Sequence, residues 1–159
     1  MKKLVLFLVL SSLFLPSFAQ KVEVKNGKII QKGEEIALIE REGCKAFSPT
    51  CEFYIYNLDG EILITIIGET LETPQGRGKE DIIERFLRFS FSGFEEVCET
   101  RNPSLLATKE RDIARIVARL IKDGELDKAA VENFIKANGT PFTDRINSLN
   151  KNININIIR

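Results

Sequence analysis

The chain contains no histidine and no tryptophan. Without an imidazole, Ser-His-Asp and Cys-His catalysis are excluded, as are zinc sites that need a histidine ligand. Proton transfer near neutral pH would then need a carboxyl, lysine or cysteine with a shifted pKa. No recognisable catalytic motif is present, so the sequence predicts no catalytic residues, no cofactor and no metal site.

Cysteine is also scarce, with three residues in the chain. Cys44 and Cys51 bracket the short loop KAFSPT and form the candidate disulfide. Cys98 has no imidazole to activate it, and strand alternation predicts a buried structural thiol. Three thiols allow three single pairings, so three free thiols or a bridge through Cys98 stay open as alternatives.

Long hydrophobic runs are absent except at the start of the chain. Two lysines precede an apolar run over residues 4–15, and Ser17 and Ala19 fit the −3 and −1 positions of a signal-peptidase site. The run is about a dozen residues, whereas a membrane-spanning helix needs roughly 20. We therefore expect residues 1–19 to be a cleaved signal peptide, with an uncleaved anchor as the alternative. The mature chain is then periplasmic or extracellular, without an integral membrane span.

Neither sign of charge dominates, because 23 Lys and Arg residues balance 23 Asp and Glu residues. Nucleic acids and anionic membranes reward a concentrated basic surface, so this balance argues against both as partners. Removing the signal peptide leaves about 140 residues, the size of a single domain with one core. We place that domain at residues 20–150.

The stretch CEFYIYNLDGEILITIIG, residues 51–68, predicts the hairpin around which the domain forms. Asp59-Gly60 has the composition of a two-residue type I′ turn, which pairs Tyr56 with Leu63. One face of this hairpin is apolar and carries Phe53, Ile55, Ile62, Ile64 and Ile66. The other face carries the candidate binding residues Tyr54, Tyr56, Leu58 and Leu63. Aromatic side chains on an uncovered sheet face mark an interaction site, unless a second hairpin or the tail covers them.

Short alternating segments extend this hairpin into a sheet. Asn26-Gly27 and Lys32-Gly33 are turn signals that separate three strands at the start of the domain. Residues 82–91 fit both strand and helix spacing, but their phenylalanines and the Ser92-Gly93 turn favour a second hairpin. We therefore predict one antiparallel sheet over residues 21–99.

Helical patterns follow the sheet. An apolar stripe at helical spacing contains Ile113, Ile116, Val117, Leu120 and Ile121. Asp123-Gly124 is expected to end this helix, Asp127 to cap a second one, and Asn138-Gly139 to end that. Residues 103–138 are thus predicted to form a helical hairpin on the apolar face, which makes the fold class α+β. Residues 151–159 alternate Asn with Ile, which indicates an edge strand or a frayed C-terminal tail.

Glycoside cleavage needs a pair of carboxylates, and the candidates for such a pair are Glu95, Glu96 and Glu99. Adjacent Glu95 and Glu96 point to opposite faces of a strand, so they cannot act together. A charged sheet edge that resists aggregation is the favoured interpretation of all three.

Four segments carry a resemblance to known proteins: the signal ending SFAQ, the opening VEVKNGKII, the hairpin YNLDGEILIT and the helical IKDGELDKAAVENFIKANG. Through them most of the mature chain resembles small exported proteins of Bacteroidota-type bacteria with no assigned activity. The resemblance implies an α+β envelope protein and transfers no site residues. The Cys44–Cys51 loop and the Asn/Ile tail are not matched.

The sequence therefore predicts an exported, non-enzymatic domain that binds an unidentified protein or glycan of the cell envelope or has another envelope-associated role. Two alternatives stay open. One is a hydrolase that uses carboxylates alone, and the other is a protease-inhibitor-like module that presents the Cys44–Cys51 loop.

Overall fold

The structure is a computed structural model that describes residues 21–43, 51–73, 75, 80–103 and 108–157. The predicted signal peptide, Cys44 and the loop before Cys51 lie outside these residues. The cleavage site and the Cys44–Cys51 bridge therefore stay predictions.

Seven antiparallel strands form one sheet in which the spatial order equals the order along the chain. The strands are β1 Val22–Lys25, β2 Lys28–Gln31, β3 Glu34–Glu42, β4 Glu52–Tyr56, β5 Ile62–Thr73, β6 Ile82–Phe91 and β7 Val97–Arg101. The first two reversals are the predicted tight turns. Asn26 and Gly27 both have positive φ, 51° and 74°, and Lys32 and Gly33 have 55° and 90°. Two successive left-handed residues define the type I′ turn, which matches the twist of the strands that it joins.

The ambiguous segment at residues 82–91 is a strand, as favoured above. Its residues pair with β5 from Ile64↔Phe91 to Thr73↔Ile82 and with β7 from Phe86↔Arg101 to Ser90↔Val97. Phenylalanine and β-branched residues fit a pleated surface that is covered on both sides, which outweighs the helical spacing of the isoleucines.

The turn between β4 and β5 differs from the prediction of a two-residue type I′ turn. Gly60 has φ of 90°, whereas Asp59 is not among the described residues with positive φ. The N–H of Gly60 donates to the carbonyl of Asn57 at 3.2 Å, and the N–H of Asn57 donates to that of Glu61 at 2.9 Å. This is a three-residue loop, a type I turn followed by a left-handed glycine.

Asn57 is the physical reason for the longer loop. Its side chain is buried, and its Oδ1 accepts the backbone N–H groups of Asp59 at 3.1 Å and Glu61 at 2.8 Å. Its Nδ2 donates to the carboxylates of Glu61 at 3.1 Å and Glu125 at 3.2 Å. An Asx side chain that holds its own turn competes with the tight hairpin geometry.

The longer loop shifts the register by one residue near the turn. Ile55 faces Ile64 and Phe53 faces Ile66 as predicted, but a bulge after Ile55 places Tyr56 opposite Ile62 and not Leu63. Ile62 is 47% exposed and Leu63 is 5% exposed, so the two residues exchange the environments predicted for them. A β-bulge changes the face of a residue in this way.

Within the described residues, three helices follow the sheet: α1 Glu110–Val117, α2 Lys128–Asn138 and α3 Pro141–Ile157. Asp127 caps α2 by accepting the N–H of Ala130 at 3.1 Å, as predicted, and Gly139 ends that helix with φ of 56°. Asp123-Gly124 was expected to end the first helix, but it forms a left-handed turn between β8 Ile121–Lys122 and β9 Glu125–Leu126. The first helix therefore stops at Val117, four residues before Ile121.

The helices α1 and α2 pack on the face of the sheet that carries Phe53, Ile55, Ile64 and Ile66, called the inner face below. Ile113 and Val117 of α1 and Val131 of α2 are fully buried in this core. The ring of Phe134 meets Phe89 edge-on, with centroids 5.4 Å apart. The predicted α+β fold with a helical pair on the apolar face is confirmed.

The last helix lies on the opposite, outer face. Phe142 of α3 stacks on Phe86, with ring centroids 4.5 Å apart, in a cluster that also contains Leu71, Ile146 and Leu149. Phe86 precedes Leu87, which is in the inner core, and neighbouring strand residues point to opposite faces.

Residues 151–157 therefore belong to a helix and not to the edge strand or frayed tail expected from the Asn/Ile alternation. Pro141 occupies the first helical position, where its missing N–H is not needed. The carbonyl of Thr140 accepts the N–H of Asp144 at 2.9 Å in the first turn. The helix begins upstream of the alternating segment and continues into it.

Candidate binding surface

The outer face of β3, β4 and β5 carries partly exposed side chains. Phe53 and Ile55 are fully buried on the inner face, so Tyr54 and Tyr56 lie on the outer one. Tyr54 lies between Glu40 of β3 and Thr65 of β5. Six residues define this surface, the tyrosine face: Glu40, Glu52, Tyr54, Tyr56, Ile62 and Thr65.

The two tyrosines are held by glutamates of the same surface. The hydroxyl of Tyr54 donates to Glu52 at 2.6 Å, and that of Tyr56 donates to Glu40 at 3.0 Å. The hydrogen bond to Glu52, with partial burial, raises the pKa of Tyr54 to about 12. Burial and the hydrogen bond to Glu40 raise the pKa of Tyr56. Both hydroxyls thus stay protonated and fix the ring positions, with centroids 6.5 Å apart.

The carboxylates of the tyrosine face have no cationic partner within the part of the chain that the structure describes. Glu40 and Glu52 accept from tyrosine hydroxyls, whereas the nearby ion pair joins Lys28 to Glu35 at 2.7 Å. Glu42 lies opposite Glu52 in the register and adds a third carboxylate beside Glu40 and Glu52. The surface therefore combines aromatic rings with an excess of negative charge.

The predicted site residues divide between surface and core. Tyr54 and Tyr56 are partly exposed, and Leu58 at the hairpin loop is 51% exposed. Leu63 is buried, so it does not belong to the surface as expected, and Ile62 takes its place for the reason given by the register shift. A register counted across a two-residue turn places Ile62 on the inner face, so sequence periodicity could not have identified it as a surface residue.

A shallow pocket of about 280 Å³ adjoins the tyrosine face. Its lining includes Ile62 and Thr65 of that face together with Leu63, Ser90, Phe91 and Ser92. Thr65 and Ser90 are register partners, so the pocket continues the row that begins at Glu40 and passes through Tyr54. The open surface is therefore a strip that runs across four strands, from carboxylates at β3 to hydroxyls at β6.

Sequence reasoning did not identify a second polar cluster, which is centred on Glu99. The side chain of Glu99 is buried, and it accepts the N–H groups of Phe142 at 2.9 Å and Thr143 at 3.0 Å. It also accepts the hydroxyl of Thr143 and the guanidinium of Arg88, the latter at 3.2 Å. Arg88 in turn pairs with Glu69 at 2.8 Å. A carboxylate at a helix N-terminus satisfies free N–H groups and complements the helix dipole.

This cluster corrects the interpretation of Glu99 as part of a charged edge. Glu95 and Glu96 are exposed as expected, but they lie in the loop before β7 and not on a strand as predicted. Burial opposes ionisation of Glu99, but the hydrogen bonds from Thr143, Arg88 and Phe142 outweigh it and lower the pKa of the carboxyl. An ionised carboxylate with its acceptor positions occupied does not serve as a general acid. The cluster does not favour the carboxylate-hydrolase alternative.

Cys98 is a free, fully buried thiol, as the strand pattern predicted. Burial, with the neighbouring charge of Glu99, raises its pKa to about 12. A thiol with so high a pKa is a poor nucleophile. The Cys98 side chain serves packing in the inner core.

Comparison with protein-family models, with curated proteins and with solved structures finds no match to this chain. The resemblance to small exported proteins stays a prediction. Over the described residues, the structure contains no helix with both the length and the apolarity needed to cross a bilayer.

Proposed function

We propose that the chain is an exported, non-enzymatic domain that binds a protein or glycan of the cell envelope through its tyrosine face. The observation that carries the proposal is the uneven covering of the sheet. Two helices cover the inner face, and the described side chains of α3 pack on Leu71 and Phe86 of the outer face. Tyr54 and Tyr56 stay partly exposed beside them.

Tyrosine supports this interpretation because it supplies a large contact area at low cost in conformational entropy, and it is enriched at interfaces. Both tyrosines of the chain lie on this one surface, and each is oriented by a hydrogen bond to a glutamate. A binding surface that is ordered before contact loses less entropy on association.

Export is tested by expressing the full chain in a bacterial host and measuring the intact mass of the product. We expect removal of residues 1–19, with Gln20 as the new N-terminus. Recovery of the full-length mass from the periplasm or the medium would contradict cleavage.

Binding is tested by immobilising the mature chain and capturing components of a native envelope extract. We expect the double variant Tyr54→Ser/Tyr56→Ser to lose a component that the wild type retains. The matched control is Ile82→Ser/Ile83→Ser, which removes two exposed hydrophobic side chains at the far end of β6. A capture profile that is unchanged by the tyrosine variant would contradict the tyrosine face as the binding surface.

A further inference from the structure

We infer that the partner of the tyrosine face is an extended, Arg- or Lys-rich segment of another protein. This inference rests on the proposed function and names the chemistry of its ligand. It follows from the chemical groups along the strip, which are carboxylates at one end, aromatic rings in the middle and hydroxyls at the other end.

The strip begins with negative charge. Glu40, Glu42 and Glu52 lie at the β3–β4 end, and within the described residues none of them is paired with a cation. Glu52 and Glu40 each accept one hydrogen bond, from the hydroxyls of Tyr54 and Tyr56. An ionised carboxylate can accept further hydrogen bonds but cannot donate any. A ligand with hydrogen-bond donors and positive charge is therefore complementary to the carboxylates at this end of the strip.

The middle of the strip is aromatic. A guanidinium or ammonium group over a tyrosine ring gains about 0.5–1 kcal/mol at an exposed site from the cation–π interaction. Tyr54 lies in the register between Glu40 and Thr65, so one cation can meet both a ring face and a carboxylate. A neutral sugar can also stack on such a ring, but it does not use the charge beside it.

The far end is the pocket of about 280 Å³. Ile62, which is 47% exposed, offers an apolar wall to the methylene stem of a long side chain, and Thr65, Ser90 and Ser92 offer hydroxyl acceptors to its head. Arginine and lysine have this construction, with an apolar stem and a head that only donates.

The spacing of the strip fits an extended chain. Neighbouring strands lie about 4.8 Å apart, so three steps from Glu40 on β3 to Ser90 on β6 cover roughly 14 Å. An extended ligand rises about 3.3 Å per residue, and its alternate side chains point to the same side. Basic residues at positions i, i+2 and i+4 therefore reach the carboxylates, the rings and the pocket in turn.

The test uses defined probes and the mature protein. Binding of an octapeptide of alternating Arg and Ser is measured by titration calorimetry at low and at moderate salt, beside its Glu–Ser counterpart and a neutral oligosaccharide. We expect the Arg–Ser peptide to bind, with affinity that falls as salt rises because exposed charges are screened.

Two variants locate the contact. Glu40→Gln/Glu52→Gln keeps acceptors for the tyrosine hydroxyls but removes the charge, and we expect about fivefold to tenfold weaker binding of the Arg–Ser peptide. Tyr54→Leu should weaken it by about twofold to fivefold. Glu95→Gln/Glu96→Gln removes the same charge from exposed positions at another part of the surface and should change the affinity by less than about twofold. Thermal melting of each variant reports on its fold.

Equal affinity of the Arg–Ser peptide for the wild type and for Glu40→Gln/Glu52→Gln would overturn the inference. Binding of the oligosaccharide or of the Glu–Ser peptide in a manner that depends on Tyr54, without binding of the Arg–Ser peptide, would also overturn it and would leave the tyrosine face as a binding surface. The proposed function is tested separately by the capture experiment, in which the tyrosine variant is compared with the wild type. An unchanged capture profile there would contradict the proposed function itself.

Discussion

The carboxylate of Glu99 accepts the backbone N–H of Phe142 at 2.9 Å, although the two residues lie 43 positions apart. The N–H of Glu99 donates to the carbonyl of Gly139 at 2.8 Å. The chain thus passes from α2 on the inner face to α3 on the outer face around the edge strand β7. Both the main chain and the side chain of Glu99 form hydrogen bonds with the segment that connects α2 to α3.

The first prediction concerns the charge of Glu99. Glu99→Gln should lower the free energy of unfolding by about 2–4 kcal/mol, because it replaces a buried carboxylate that accepts hydrogen bonds from Thr143, Phe142 and Arg88 with a neutral amide. Urea unfolding at neutral pH measures the change. The control, Glu96→Gln, is exposed and should cost less than about 0.5 kcal/mol. Similar costs for the two variants would contradict the role of Glu99.

The second prediction is the pH dependence of the same group. The folded protein holds the pKa of Glu99 below its ordinary value of 4.5. Its contribution to stability is therefore complete above that value and is lost as the pH falls through the folded pKa. Gln does not titrate, so the difference in unfolding free energy between wild type and Glu99→Gln should be constant above about pH 5 and should shrink in more acidic solution. A difference that grows on acidification would contradict the sign.

Glu99 also shows which part of the structure can be predicted from local pattern. Alternation identified the strands, and Asn26-Gly27 identified a turn whose two residues both have positive φ. Those features depend on neighbours in sequence. The burial of Glu99 depends on residues 139–143, which lie beyond two helices in the chain, so the sequence next to Glu99 does not indicate it.

The errors at residues 57–63 and at the C-terminus have similar causes. Asp59-Gly60 satisfies the composition of a type I′ turn, but Asn57 supplies acceptors for Asp59 and Glu61 and stabilises a longer loop. The Asn/Ile repeat satisfies a two-residue period, but the helix that begins at Pro141 extends through it. The tyrosine face itself was predictable, since Tyr54 and Tyr56 alternate with buried residues, whereas Ile62 depended on the bulge.

The third prediction tests the loop. Asn57→Ala should lower the free energy of unfolding by about 1–3 kcal/mol, because the N–H groups of Asp59 and Glu61 lose their acceptor and the link to Glu125 is removed. Equilibrium urea unfolding gives the value. Leu58→Ser is the control, since Leu58 is half exposed in the same loop. If the loop were a two-residue turn held by Asp59-Gly60 alone, Asn57→Ala would cost no more than this control.

The fourth prediction concerns the three thiols. Cys98 is buried and should resist alkylation in the native protein but react in denaturant. If the predicted Cys44–Cys51 bridge forms, unreduced denatured protein should take up one alkyl group, and reduced protein three. Intact mass after labelling counts them, and Cys98→Ala should remove the single label. Three labels without reductant would contradict the bridge.

The fifth prediction is that α3 can detach without loss of the sheet. Its described apolar contacts form a cluster separate from the inner core, and Phe142 contributes the ring that stacks on Phe86. Phe142→Ala should remove about 3 kcal/mol from the docking of this helix, because a buried phenylalanine is truncated. Hydrogen exchange followed by mass spectrometry should then show faster exchange in residues 141–149 while β4 and β5 stay protected.

Phe94→Ala is the matched control for that experiment, since Phe94 is partly buried against the inner core at the β6–β7 turn. It should leave exchange in α3 unchanged. Uniformly faster exchange across the sheet in Phe142→Ala would mean that α3 and the sheet unfold together. In that case Glu99 would be part of one cooperative core, because the helix that it caps could not leave the outer face independently.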